Sequence, residues 1–266
     1  MSGSGRNPKS FVPWCLGGFS VTIHTTHLAP CAPCFQYSTN LDKLPSSRIV
    51  ATGIFGMILY EKDRSLYLNL TNRCPVSCSF CVKVPWDYQF EGHDLRIKGP
   101  EPTTEELLNA LKRKLEIPNP WREVVFCGFG ESTYRLAEMS AVGLYLKARH
   151  PELSLRLNTV GLGNLIWGRD ITPDLALFLD EVAVSLNTSN PKQWVELHRP
   201  APAYRAAGFE ASRRFAQRCV AAGIRTRVTA VALPDVDLRP LAYYAQTIGA
   251  DFLARPVLVP ADDSDA

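Results

Sequence analysis

Residues 66–81 read Leu-Tyr-Leu-Asn-Leu-Thr-Asn-Arg-Cys-Pro-Val-Ser-Cys-Ser-Phe-Cys. Leucines at 66, 68 and 70 alternate with Tyr67 and Asn69, the period of a half-buried strand. The strand runs into a loop that carries Cys74, Cys78 and Cys81, spaced C-x3-C-x2-C. Three thiolates on one short loop can ligate three irons of a [4Fe–4S] cube and leave the fourth iron without a protein ligand. A structural zinc site is normally closed by a fourth protein ligand, whereas an open metal position is where a substrate or cofactor binds. No fourth ligand stands nearby in the sequence: His93 lies beyond the triplet with no ligand-like spacing to it.

Outward from this stretch, strand-like runs alternate with helix-spaced ones. The strand candidates are Ser65–Leu70, Glu123–Cys127, Leu153–Asn158, Glu181–Leu186, Ile224–Leu233 and Ala250–Val257. Between them Thr103–Leu115, Thr133–His150, Pro173–Leu179, Phe209–Ala222 and Leu238–Ile248 carry apolar residues at helical spacing. Thr103 followed by Glu106 has the form of a capping box, and Gly223 stands where a helix ends in the left-handed region. Repeated strand–helix alternation predicts an α/β fold with a parallel sheet, open or curled into a barrel. Sites in such folds lie at the C-terminal ends of the strands.

Three of those ends carry candidates. Phe126-Cys127-Gly128-Phe129-Gly130-Glu131-Ser132 combines glycines, which let a backbone approach a ligand, with a carboxylate able to pair with a cation. It reads equally as an ordinary strand-to-helix turn. A dinucleotide fingerprint is not completed, because Thr133 occupies the third glycine position. The third strand ends in Asn158 and Thr159, and the fourth in Ser185, Leu186 and Asn187. Each asparagine is either a ligand contact or a satisfied turn residue. His198 is either a proton carrier or a surface or packing residue.

The chain has 266 residues, of which 46% are hydrophobic and 21% charged, the balance of a protein with a real core. A formal charge of +3 is too small to argue for nucleic acid or an anionic membrane, and no apolar run is long enough to span a bilayer. Arg213, Arg214 and Arg218 on one helix and Arg225 and Arg227 on one strand read as solvated faces. Without a signal-peptide pattern, the eight cysteines point to metal ligands or redox chemistry in a reducing compartment, and the expected location is cytoplasmic.

The cysteine triplet, with aromatic Phe80 before its last member, resembles the signature of the radical S-adenosylmethionine (SAM) enzymes. The resemblance implies a [4Fe–4S] cluster on Cys74, Cys78 and Cys81, whose open iron chelates the amino and carboxylate groups of SAM. It implies reductive cleavage of SAM to methionine and a 5′-deoxyadenosyl radical that abstracts hydrogen from a substrate. Phe80 inherits a position near the adenine. Gly128, Gly130 and Glu131 resemble the superfamily's Gly-Gly-Glu motif, with Phe129 interrupting the glycines. Asn158, then Thr159, and Asn187 become candidate SAM contacts, and no catalytic residue is assigned. The expected fold is a partial (β/α)6 TIM-like barrel.

Within the superfamily, LYLNLTNRCPVSCSFCVK, FCGFGES, LRLNTVGLGNLIWGRDI, VAVSLNTSNPKQWVELHRP and VALPDVDL are similar to the TatD-associated radical SAM proteins. This resemblance covers about residues 57–258, with Val160 where a second asparagine would be expected. It implies a functional link to a TatD-family hydrolase and an electron donor such as flavodoxin or ferredoxin, with the substrate unknown. Only Cys219 follows Cys127, so an auxiliary C-terminal cluster is excluded by count. The rival reading is a non-catalytic iron–sulfur or zinc-binding module, which has no need of the Gly128–Glu131, Asn158 and Asn187 constellation.

Residues 1–56 form an irregular or disordered extension in this reading, with the family-like core at 57–258 and an acidic tail at 259–266. His24, His27, Cys31 and Cys34 have a spacing able to hold zinc, but with a shorter spacer than small zinc folds use. The preferred expectation is a chain that begins at Met57, with 1–56 a wrongly assigned start or a poorly ordered extension.

Overall fold

The computed structural model describes residues 58–117 and 121–258, all within one unit. The expectations for residues 1–56, including the His24, His27, Cys31 and Cys34 set, and for the tail at 259–266 lie outside these residues.

The chain opens with a hairpin. Strand β1 (Leu59–Lys62) pairs antiparallel with β2 (Ser65–Leu68) across Asp63, which sits at φ 56° in the left-handed region a two-residue hairpin turn requires. From β2 onward the strands β5 (Glu123–Phe126), β6 (Ser154–Thr159), β7 (Glu181–Ser185), β8 (Arg225–Val231) and β9 (Asp251–Arg255) pair in parallel, in sequence order. The two-residue strands β3 (Gln89–Phe90) and β4 (His93–Asp94) form a separate ribbon. Helices α1 (Thr104–Leu115), α2 (Leu136–Arg149), α3 (Gly163–Trp167), α4 (Thr172–Ala176), α5 (Pro191–His198), α6 (Pro202–Arg205), α7 (Gly208–Ala221) and α8 (Arg239–Thr247) fill the crossovers.

Six parallel strands in unbroken order, joined by right-handed crossovers, put the connecting helices on one face of the sheet. An open doubly wound sheet would need a reversal of strand order, and there is none here. The sheet is therefore curled with its bare face inward, as in a partial TIM-like barrel of six parallel strands.

Alternation along each strand sorts residues between the two faces. Leu66, Leu68, Val124, Phe126, Leu155, Leu157, Val182, Val184, Val228 and Ala230 face the helices and are fully buried. They pack on Leu107, Leu108 and Leu111 of α1, Met139 and Leu146 of α2, Phe215 of α7 and Leu241 of α8. Each such leucine or valine contributes roughly 1.5–3 kcal/mol by burial. Helix α1 starts as the sequence indicates: Thr103 Oγ1 accepts from Glu106 N–H while the Glu106 carboxylate accepts from Thr103 N–H, a closed capping box. Strand β2 is shorter than expected because the chain turns away after Leu68 into the cysteine loop.

Candidate active site

The cysteine loop is braced at both ends. At its start, the Arg73 guanidinium grips Glu101 with two hydrogen bonds, 2.8 and 2.9 Å, and lies over the Tyr134 ring. Arg135 ties Glu101, Leu70 O and Pro102 O into the same knot. Along its length the loop is clamped by the segment after α5. Ser77 N–H donates to His198 O (2.9 Å), Ser79 N–H to Leu197 O (2.8 Å) and Ala201 N–H to Pro75 O (2.9 Å), while Val76 bridges Pro200. The sequence reading misses this clamp, since nothing local links residues so far apart.

The loop holds its thiols open to an incoming group: Cys74 is exposed, and Cys78 and Cys81 are half-buried. Protein mass around them and the nearby Glu131 charge push the Cys74 thiol up to about 12, and burial with the two neighbouring cysteines pushes Cys78 up as well. Among the described residues no three His, Cys, Asp or Glu side chains converge as a single ion would require. A cube takes one thiolate per iron, and the three thiols share one eight-residue loop. They therefore fit a multi-iron cluster.

His198, left open between surface, packing and proton transfer, is buried and set against this loop. Its ring stacks on Trp194 (4.7 Å between centroids), meets Phe80 edge-on (5.8 Å), and places Nδ1 3.5 Å from Cys78 Sγ. Burial lowers its pKa to about 4, so the ring is neutral at physiological pH. Its tautomer follows from Asn187. Asn187 Oδ1 accepts from Val231 N–H (2.8 Å), and a flipped amide would set two donors against each other. The amide NH2 therefore faces Ser185 O (3.3 Å) and His198 Nε2 (3.1 Å). With Nε2 accepting, the ring proton sits on Nδ1. Leu186 O also lies 3.3 Å from Nε2, but it already accepts from Thr188 N–H. An Nε2 proton would in addition confront the Asn187 NH2. A backbone N–H on β8 thus determines that His198 presents a donor to a cysteine sulfur.

Asn187, a candidate contact, is fully buried at φ 62° with its amide bonded to Ser185 O, His198 Nε2 and Val231 N–H. Gly128 and Gly130 lie against the base of the cysteine loop. A Cβ on Gly128 would lie 2.0 Å from Asn69 Oδ1, and one on Gly130 would lie 2.2 Å from Thr71 O. The close approach these glycines permit is to the chain's own cysteine-loop base. Glu131 is 3% exposed and accepts from Thr133 N–H (3.2 Å), Thr133 Oγ1 (2.8 Å), Thr159 Oγ1 (2.8 Å) and Val160 N–H (2.9 Å). Its carboxylate locks the strand ends of β5 and β6 together. Burial raises its pKa despite those donors. Thr159 takes part in the same lock and also accepts from Gly161 N–H (2.9 Å).

Asn158 remains on the inner face. It accepts from Arg156 (2.7 Å) and bonds the Cys127 thiol. Arg156 in turn pairs with Glu123 (2.8 Å) and bonds Tyr67. Arg225 and Arg227, expected on a solvated face, pair with the buried Glu181 at the base of this inner face. Arg213 and Arg218 do lie on the outer side of α7, paired with Glu210 and Asp170. No helix among the described residues is long and apolar enough to cross a membrane.

Comparisons with known proteins agree with this architecture. The family model of the Radical SAM superfamily matches residues 68–247, and the chain belongs to that superfamily. No curated protein matches its sequence. Among solved structures, SuiB of Streptococcus suis bound to S-adenosylmethionine is similar at TM-score 0.53 and 16% identity, covering 73% of this chain and 40% of SuiB. SuiB bound to the precursor peptide SuiA gives TM-score 0.53 and 16% identity, over 71% of this chain and 38% of SuiB. A radical SAM methyltransferase from Sphaerobacter thermophilus gives TM-score 0.50 and 16% identity, over 74% of this chain and 68% of that one. The chain thus spans about two fifths of the length of SuiB, and at these identities the likeness speaks for the fold. Members of the superfamily are enzymes, and their cofactors are a [4Fe–4S] cluster and SAM.

Proposed function

We propose that this chain is a radical SAM enzyme in which Cys74, Cys78 and Cys81 hold the [4Fe–4S] cluster and the curled sheet receives SAM and a substrate. The observation that carries the reading is the three-thiol loop at the C-terminal end of β2, with Cys74 exposed and Cys78 and Cys81 half-buried. When bound, the cluster supplies one electron that cleaves SAM to methionine and a 5′-deoxyadenosyl radical, which takes a hydrogen atom from the substrate.

The chain's own residues divide the remaining work. Arg73 with Glu101, and the Leu197–Ala201 clamp, fix the loop. His198 donates Nδ1–H toward Cys78, which favours the thiolate the metal needs and offsets negative charge on that sulfur. Asn187 is a positioning residue that sets the tautomer, and Glu131 positions the Gly128–Gly130 turn. Phe80 offers a ring face at the loop, and Asn158 offers an amide within the inner face, both toward SAM. The similarity to TatD-associated proteins suggests a hydrolase of that family as a functional partner, flavodoxin or ferredoxin as electron donor, and the cytoplasm as the location.

Electron paramagnetic resonance of the anaerobically reconstituted, reduced protein tests this. The expected result is a [4Fe–4S]⁺ signal that changes shape when SAM is added. A cluster signal indifferent to SAM, or zinc in place of iron, overturns the reading.

A further inference from the structure

We propose that Arg255, with the hydroxyls of Ser185 and Thr229, forms a cradle in the barrel mouth for an anionic group of the substrate, a carboxylate or a phosphate. The inference rests on the reading above that the inner face is where the substrate lies. It comes from the charges on that face. The acids there, Glu123, Glu181 and Asp251, are each the first residue of a strand, so they ring the floor of the barrel. Arg156 is matched by Glu123, while Arg225 and Arg227 share Glu181. Arg255 is the last residue of β9, four positions and about 13 Å above Asp251. It stands at the end of the sheet that carries the cysteine loop.

Among the described residues no carboxylate reaches ion-pairing distance of Arg255. Its guanidinium donates to Ser185 Oγ (2.9 Å), which is itself 3.2 Å from Thr229 Oγ1. The residue is exposed to solvent on the edge strand of the sheet. Lost hydration and Arg156 both disfavour its charge, and only Cys127 leans the other way. A guanidinium keeps its proton regardless and offers five N–H donors, of which Ser185 takes one. The free part of the planar fork matches a carboxylate or phosphate edge, and the two hydroxyls extend the donor set. A cation with no carboxylate partner among the described residues also draws anions toward it.

The test uses the reconstituted full chain with saturating SAM. Phenylglyoxal modification of Arg255 and Arg239 is followed by peptide mass spectrometry with and without inorganic phosphate, and in a parallel series with acetate. One of the two anions is expected to slow reaction at Arg255 by about threefold at twice its dissociation constant. Arg239, on the outer surface, should keep its own rate. The more effective anion identifies the group. No slowing at Arg255, or equal slowing at both arginines, overturns the proposal. SAM also carries a carboxylate, so its dissociation constant is measured by its effect on the cluster signal in wild type and Arg255→Gln. Agreement within about twofold is expected, and a loss of about tenfold assigns Arg255 to SAM and overturns the substrate cradle. Failure of wild type to assemble a cluster would sink the preceding reading through its own signal, independently of the arginine labelling.

Discussion

The two faces of the sheet are built from the same strands and share almost nothing else. On β6, Leu155, Leu157 and Thr159 turn to the helices and are buried, while Ser154, Arg156 and Asn158 turn inward and stay half-buried. The outer face is aliphatic and closely packed; the inner one carries arginines, acids, a tyrosine and a thiol joined by hydrogen bonds. Stability accumulates on one side and chemistry is available on the other. A residue's parity along its strand therefore says more about its job than its identity does.

Substitutions can break that division. The largest effect belongs to the loop: Cys78→Ala should abolish cluster assembly, read as loss of the iron–sulfur absorbance, while the denaturation midpoint of the metal-free protein stays near wild type. Retained cluster and SAM turnover would remove Cys78 from the ligand set. Next comes a pair of neighbours on β6. Leu157→Ala should cost about 2–5 kcal/mol of unfolding free energy through lost burial and a cavity. Asn158→Ala, one position on, should cost under about 1 kcal/mol and instead weaken SAM binding. Equal losses of stability from the two would erase the distinction between the faces.

A smaller effect sharpens the comparison where the two faces meet, at His198. Burial holds its imidazole neutral down to about pH 4, whereas the unfolded chain protonates near 6.5. The unfolded state then binds more protons in that window, so stability rises with pH through it and is lost as pH falls from 6.5 toward 4. The window is worth about 3 kcal/mol at most. His198→Phe keeps a ring on Trp194 and should flatten that slope in urea titrations of the metal-free protein across the same range. A slope unchanged by the substitution would mean other groups carry it.

Much of the fold is legible in the sequence because its signals are local. Period-two leucines and the Thr103–Glu106 box are each complete within a few residues, and the strand–helix alternation is a succession of such short signals. The β1–β2 hairpin was harder to see, since Met57–Leu70 reads as one approach to a single strand until Asp63 takes a positive φ. The cysteine triplet is legible for the same local reason. The support around it is not, because the contact between Cys78 and His198 spans 120 residues. Asn187 and Glu131 attract notice as polar residues at strand ends, but only the folded chain reveals that their hydrogen bonds are met internally. Arg255 draws no notice in the sequence. What sets it apart is that no described carboxylate pairs with it, a property of neighbours and not of spacing.

The clamp of Leu197–Ala201 on the cysteine loop also bears on how the protein is made. Ribosomes release the three thiols about 120 residues before the segment that shapes their loop. At ordinary elongation rates that interval is roughly 6–24 s. During it the cysteines sit on a nascent chain whose metal pocket has no far wall. Until residues 197–201 have been made the clamp that shapes the loop cannot form.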